Sequence, residues 1–466
     1  MAAVQDTGTG AFETRVAFGL GTALLGFVFT VLGLLFLVSA RLDGFLVVAF
    51  LVPILLAASW PAFVRQARRE RDPGLVWVLV AALLLKLLGS LVRYWVSVSL
   101  YDGLLDAFGY HYGGVELAMR FRAGNFETGL ASLTGTDFIT FFTGIVYTIT
   151  GPSIFAGFLL YSWLAFGGMF YLYRAFTIAV PDGRWRSYAR LLFFMPSMLY
   201  WPSSIGKEAW MLFTVGLAAF GIARLLTGRP WRGLAVAGTA LWLAALVRPH
   251  VAGMAVLGLV VAYLLARPPR RQGAFGSVVK LAALVALVAV AVALLGQTQS
   301  YLLSKGIDPQ DGVSSVLTET TRRTNTGGSN FQAPSTGQSL ARMPYAAVTI
   351  LFRPFLFEAH NAQAAVTALE STLFLCLVVA RRRAVWHAIR HLRRRPYVAF
   401  ILVYSVLFVI AFSSIANFGI LARERTQLLP FFLVLLALPA PQPRQRPAAA
   451  RSGEGRVDAD RQLARA

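Results

Sequence analysis

The feature that most constrains this chain is an alternation of long apolar runs with short arginine-rich loops. Many of the runs approach the ~20 consecutive apolar residues that a helix needs to cross a bilayer core. In lipid, every backbone N–H and C=O must find its partner inside the segment, so such a run has to be helical. The reading is an all-α, polytopic integral membrane protein. Charged residues make up 14% of the 466 residues, against about 25% in soluble proteins, a deficit that points the same way.

The formal net charge is +22. In a soluble protein that excess would indicate nucleic acid. Here the arginines sit in loops between apolar runs, where the positive-inside rule places them, so no nucleic-acid partner is expected. Lys86, Lys207, Lys280 and Lys305 are the only lysines. Arginine in their place, with much Ala, Gly and Leu, points to a GC-rich bacterial genome and so to a bacterial plasma membrane. Cys376 is the single cysteine, which excludes an intrachain disulfide and a cysteine metal cluster. No cleavable signal-peptide pattern precedes the first apolar run.

The arginines also set the expected topology. Residues 1–15 read as a disordered cytoplasmic segment, 16–440 as the transmembrane domain, and 441–466 as a disordered cytoplasmic tail. Spans are expected at 17–40, 44–60 and 75–100, with Arg65, Arg68, Arg69 and Arg71 marking the cytoplasm between the second and third. The third span delivers the chain to the outer face, where 99–137 forms a first large extracytoplasmic loop. Between 138 and 180 the apolar character breaks at Gly151-Pro152. The next loop is basic again, so an odd number of crossings is required: a partial or re-entrant helix at 138–150 and a full span at 153–179. Further spans are expected at 191–201, 209–226, 233–247, 251–266, 277–295, 362–380, 397–416 and 427–440, with the basic loop at Arg267, Arg270 and Arg271 inside. That makes about twelve crossings with both termini cytoplasmic. A second extracytoplasmic loop, 297–361, is expected to be mobile through its Ser/Thr/Gly/Asn-rich part and to end in an amphipathic interfacial helix at 346–361.

On this topology the outer face collects charges that the positive-inside bias does not explain. The first loop carries Asp102, Asp106, Tyr110, His111 and Glu116. Later loops bring Lys207 and Glu208, Arg248 and His250, Arg353, Glu358 and His360, and Arg423 with Arg425. A charge at the end of a span is costly unless it is partnered or used. Cations at this level suit a polyprenyl-linked phosphate, whose lipid lies in the bilayer and whose anion lies at headgroup depth. Arginine binds phosphate bidentately and stays charged near apolar surroundings. Sugar transfer from such a donor then needs a base for the acceptor hydroxyl, and Asp106 or Asp102 supplies a carboxylate. Either aspartate would otherwise cap the helix that follows. The histidines have no metal-ligand spacing, and whether the site takes a divalent cation is left open. Lys86 and Glu370 fall inside apolar runs, and a buried ion pair between them is expected.

Several segments resemble known membrane enzymes of glycan assembly. Asp106-Ala107-Phe108-Gly109-Tyr110, followed by the small-residue stretch 113–124, resembles the acidic outer loop of GT-C class polyprenyl-phosphate-sugar glycosyltransferases. The segment MPSMLYWPSSIGKEAWMLF at 195–213 is similar to a motif of O-antigen-polymerase-like polysaccharide-assembly proteins. So are VRPH at 247–250, LFRPFLFEAHN at 351–361 and NFGILARERTQLLP at 417–430. The resemblance implies a GT-C-like fold, Asp106 as catalytic acid/base, and Lys207, Arg248 and Arg353 as contacts to the donor phosphate. The chain departs from the pattern in that Asp102 and Asp106 are four apart rather than an adjacent acidic pair.

Three functions follow as expectations. The first is a membrane glycosyltransferase acting on the outer face, with a lipid-linked sugar donor, a glycan or lipid acceptor and membrane lipids as its partners. There the loop from Arg322 to Tyr345 would order over bound substrate. The second is an O-antigen-type oligosaccharide polymerase or ligase, in which the arginines matter more than the carboxylate. The third is a transporter or lipid-linked-glycan flippase, for which Lys86, Glu370 and the Gly151-Pro152 break would be the working parts.

Overall fold

A computed structural model describes residues 45–265, 274–304, 306–308, 312–325, 329–336 and 339–439. The expected span at 17–40, both terminal segments and the basic loop at Arg267, Arg270 and Arg271 lie outside the described residues. The chain runs α1 (Phe45–Glu70), α2 (Gly74–Ser99), α3 (Asp106–Arg122), α4 (Gly135–Thr150), α5 (Ile154–Ala179), α6 (Trp185–Phe194), α7 (Pro196–Tyr200), α8 (Lys207–Leu226) and α9 (Pro230–Ala245). It continues as α10 (Pro249–Leu265), α11 (Ala274–Ser304), α12 (Val313–Thr324), α13 (Met343–Phe352), α14 (Ala362–Arg390), α15 (Pro396–Phe412), α16 (Phe418–Arg425) and α17 (Leu429–Leu436).

Among the described residues the protein is all-helical; the one extended pairing there is a bridge between Asn330 and Asn417. Four helices, α2, α5, α8 and α14, are long and apolar enough to cross a membrane. At 1.5 Å per residue, the 26 residues of α2 reach about 39 Å, against a hydrocarbon core of ~30 Å. The shorter apolar helices are α10, α13, α15 and 287–303 within α11.

Helix ends follow local chemistry. Ser153 caps α5 by accepting from the Ala156 N–H at 3.4 Å. Asn361 caps α14 through the Ala364 N–H at 2.8 Å. Proline starts α7, α9 and α15, where its missing N–H costs nothing. Met195 before Pro196 is extended, which splits what would be one crossing into α6 and α7.

Two contacts show how the 100–153 region is threaded. Tyr94 of α2 packs on Phe155 at 4.4 Å, and Ser162 donates to the Lys86 carbonyl at 2.9 Å. Helices α2 and α5 are therefore antiparallel, and the chain leaves one and enters the other at the same end. Between them, α3 and α4 lie side by side in the same direction, Gly113 against Thr140 and Gly144 against Leu117. At 16 residues, α4 is about 24 Å long, short of the bilayer core.

Helices α5 and α8 approach closely at paired glycines. A Cβ on Gly168 would meet the Leu212 carbonyl oxygen at 2.2 Å, and one on Gly216 would meet the Gly168 carbonyl at 2.2 Å. Small residues let backbones touch where lipid supplies no hydrophobic drive for association. Gly168→Ala should therefore push the two helices apart and lower stability by at least the ~1–3 kcal/mol of ordinary overpacking, since the obstruction is backbone. Thermal unfolding in detergent measures this, and an unchanged midpoint would contradict the packing.

Two expectations for the later part of the chain are corrected. The interfacial helix at 346–361 is not continuous: α13 stops at Phe352 because Arg353 precedes Pro354 and is extended. The polar segment from 297 also carries helix: α11 continues to Ser304, and α12 spans Val313–Thr324. The described part of the polar stretch is also tied down. The Phe331 N–H bonds the Ala416 carbonyl at 2.8 Å, Phe418 bonds back to Ser329 at 2.9 Å, and the Thr336 N–H reaches Ser413 Oγ at 3.1 Å.

Candidate functional site

The two ends of the helical bundle differ. One end carries α5 to α6 and the start of α15, where Arg186 grips Asp72 at 2.9 Å, Arg395 grips Asp182, and Arg381 holds the carbonyls of Leu436 and Leu438. At the other end a cleft of about 250 Å³ opens between α2, the start of α3, the 201–204 turn, the start of α14, and α16. Its walls include Arg93, Asp106, Trp201, Gln363, Thr367, Asn417, Phe418 and Arg423. A small recess behind it, lined by Tyr110 and Glu208, shares Arg93, Asp106 and Arg423 with the cleft.

Asp106 is the first residue of α3, and its side chain is 70% exposed. Its carboxylate lies 3.3 Å from Arg423 Nη1. Neither Asp102 nor Asp106 caps the helix; Leu105 occupies that position without a side-chain bond. Asp102 lies in the preceding turn with φ 49°, so of the two aspartates only Asp106 lines the cleft. Burial works against the Arg423 charge, but the carboxylates of Glu208, Asp106 and Glu424 outweigh it and hold the guanidinium pKa above its ordinary value.

Arg93 was not among the sequence candidates, yet it is a wall of both the cleft and the recess. It is 6% exposed. Its guanidinium donates to the Tyr200 hydroxyl at 3.0 Å and lies over the rings of Tyr200 and Trp201, at 4.8 Å and 4.9 Å. Gly89, one turn earlier, makes this possible: a Cβ there would meet the Leu199 carbonyl at 2.3 Å and drive α7 away. The available signal was an arginine inside an apolar run, which needs a reason.

Behind the cleft lies a buried charge cluster. Arg248, in the turn between α9 and α10, makes a bidentate pair with Glu424 and lies 3.6 Å from Glu208. Gln427 donates to Glu424 at 2.8 Å. Burial opposes the Arg248 charge, but Glu424 and Glu208 together keep its pKa above the ordinary value. Arg353 is tied to Glu358 and lies over the stacked rings of Phe331 and Phe418, at 4.8 Å and 5.0 Å. Arg425 is buried and donates to the carbonyls of Leu351 and Arg353 and to Ser371.

The other candidates lie elsewhere. His111 bonds Tyr147 at 2.8 Å, and Glu116 forms a surface pair with Arg120 at 2.6 Å. His250 packs by Tyr301 and Phe412, His360 follows Glu358 in the turn before α14, and Lys207 opens α8. Among the described residues, no three His, Cys, Asp or Glu side chains converge to hold a metal ion. The expected Lys86–Glu370 ion pair does not form. Lys86 donates to the Met198 carbonyl at 2.6 Å and Glu370 accepts from the Ser197 N–H at 2.6 Å, so both grip the backbone of α7. The prolines that break the crossing there expose backbone groups, and these satisfy the two charges.

The cleft thus offers one exposed carboxylate, two guanidiniums and the first turns of three helices, α3, α14 and α16, whose N-termini carry partial positive charge. Such an arrangement can hold an anion beside a group able to accept a proton. No family model, no curated protein and no solved structure matches this chain.

Proposed function

We propose that this protein is a membrane-embedded glycosyltransferase of GT-C-like organisation, which moves a sugar from a polyprenyl-phosphate-linked donor to a glycan or lipid acceptor. In this reading it crosses a bacterial plasma membrane about twelve times, keeps both termini in the cytoplasm, and works on the extracytoplasmic face in cell-surface glycan assembly. The observation that carries the reading is the exposed Asp106 carboxylate beside Arg423 in a cleft at one end of a bundle of apolar helices.

The chemistry asks for little more. The bond between the sugar's anomeric carbon and the donor phosphate breaks as the acceptor oxygen bonds that carbon. Asp106 takes the acceptor's hydroxyl proton. The departing polyprenyl phosphate keeps the electron pair, and the guanidinium beside it stabilises that charge. Arg248, Glu208 and Glu424 act as the support that holds α16 and the α9–α10 turn in place.

A polymerase or ligase is the second reading, favoured by the presence of two guanidiniums against one exposed carboxylate in the cleft. Reconstitution of the purified chain with lipid-linked substrates separates the two readings: single sugar addition supports the first, polymer ladders the second. The transporter reading drew on Lys86, Glu370 and the Gly151-Pro152 break, and the two charged groups are engaged with the backbone of α7.

A further inference from the structure

We propose that Arg93 is the principal phosphate-binding residue of the cleft, acting with the N-terminus of α14. The proposal rests on the reading of the cleft as a site for a lipid-linked phosphate and names the group that takes the anion.

Three independent observations converge. First, Arg93 is a buried cation with no carboxylate within ion-pair distance among the described residues, while Arg248, Arg353 and Arg423 each have at least one. Its Nε has no hydrogen-bond partner there either. A buried guanidinium with an unmet Nε–H and no counter-ion in contact is costly unless an anion completes it. Second, its orientation is held from outside: the Tyr200 hydroxyl and the faces of Tyr200 and Trp201 fix the plane, so little side-chain freedom remains to be lost on binding. Third, the N-terminal end of α14 also lines the cleft, through Asn361, Gln363, Ala364 and Thr367. That helix is 29 residues long, and its N-terminus favours an anion. Arg423 lines the same cleft but is shared with Asp106, so a phosphate reaching it competes with that carboxylate. Arg93 makes no such ion pair, although the Glu208 carboxylate in the recess behind it feels its charge.

The ligand class is a phosphate monoester or diphosphate, on a polyprenyl chain or free. Binding is measured with the full chain in nanodiscs, using polyprenyl phosphate, inorganic pyrophosphate and uncharged polyprenol as probes. Arg93→Gln should weaken polyprenyl phosphate roughly 10- to 100-fold, the worth of a charge-assisted pair of hydrogen bonds. Polyprenol should bind the variant and the wild type equally. If pyrophosphate binds in an Arg93-dependent way as tightly as polyprenyl phosphate, the phosphate alone is recognised; if only the lipid form binds, the chain contributes too. Wild-type affinity for polyprenyl phosphate in Arg93→Gln overturns the proposal. Should that variant fail to fold, a structure of the wild-type protein with polyprenyl phosphate decides instead. Phosphate oxygens within hydrogen-bond reach of Arg93 support the assignment, and a phosphate seated elsewhere overturns it. Binding is read apart from transfer. Arg93-dependent binding without transfer keeps this site and sinks the transferase reading, while normal transfer by Arg93→Gln does the reverse.

Discussion

Replacing Arg248 with alanine is expected to destabilise the protein by roughly 3–5 kcal/mol, the usual cost of removing one partner of a buried ion pair. Arg248 stands between two carboxylates. Glu424 takes it bidentately and Glu208 lies 3.6 Å away, with all three side chains nearly closed to solvent. Without the guanidinium, two buried carboxylates remain, with the Gln427 amide still donating to Glu424 and the Arg423 charge still acting on Glu208. Much of the loss should return in the double variant Arg248→Met with Glu424→Leu, because the Glu424 charge is then gone as well. Thermal unfolding in detergent reads both. A loss under about 1 kcal/mol would mean the carboxylates find other partners, and that this cluster is not what joins the α9–α10 turn to α16.

Asp106→Asn should behave in the opposite way, with a large effect on rate and little on stability. General-base catalysis contributes typically 10²–10⁴-fold, and an amide cannot accept the proton, so transfer should fall by about that factor. Stability should hardly change. The Asp106 side chain is 70% exposed, and exposed ion pairs are worth ~0–1 kcal/mol. The pairing of the two readouts matters. A variant that unfolds says nothing about chemistry, whereas a well-folded variant with wild-type transfer removes Asp106 from the mechanism.

How much of this could be read from the chain depends on the range of the interaction. Apolar runs report on their own backbone, so α2, α5, α8 and α14 are visible from composition alone. The Gly151-Pro152 break is local too, and the structure places a helix end on each side of it. Asp106 and Arg423 could each be singled out as a charge at the edge of a span. Their meeting across 317 positions could not, because nothing in either neighbourhood encodes the other.

The misses have the same cause. Arg93 was hidden by its apolar neighbours, and its role depends on Tyr200 and Trp201 arriving from another helix. Lys86 and Glu370 were paired by charge, yet both meet α7, whose backbone groups at Ser197 and Met198 are left free by Pro196 and Pro202. The stretch from Ser329 to Thr336 has the composition of a free loop but is laced to the 413–418 segment by backbone bonds, which composition does not record. Arg425 looked like a ligand-binding cation; it is spent on carbonyls at the end of α13.

The most direct test of the central claim needs no knowledge of the sugar or the acceptor. Lipid extracts from cells lacking this protein are compared by mass spectrometry with extracts from cells complemented by the wild type or by Asp106→Asn. A transferase drawing on a lipid-linked donor predicts that one polyprenyl-phosphate-linked sugar accumulates without the protein, falls when the wild type is restored, and stays high with Asp106→Asn. An unchanged profile of lipid-linked sugars in the cells lacking it would contradict the assignment.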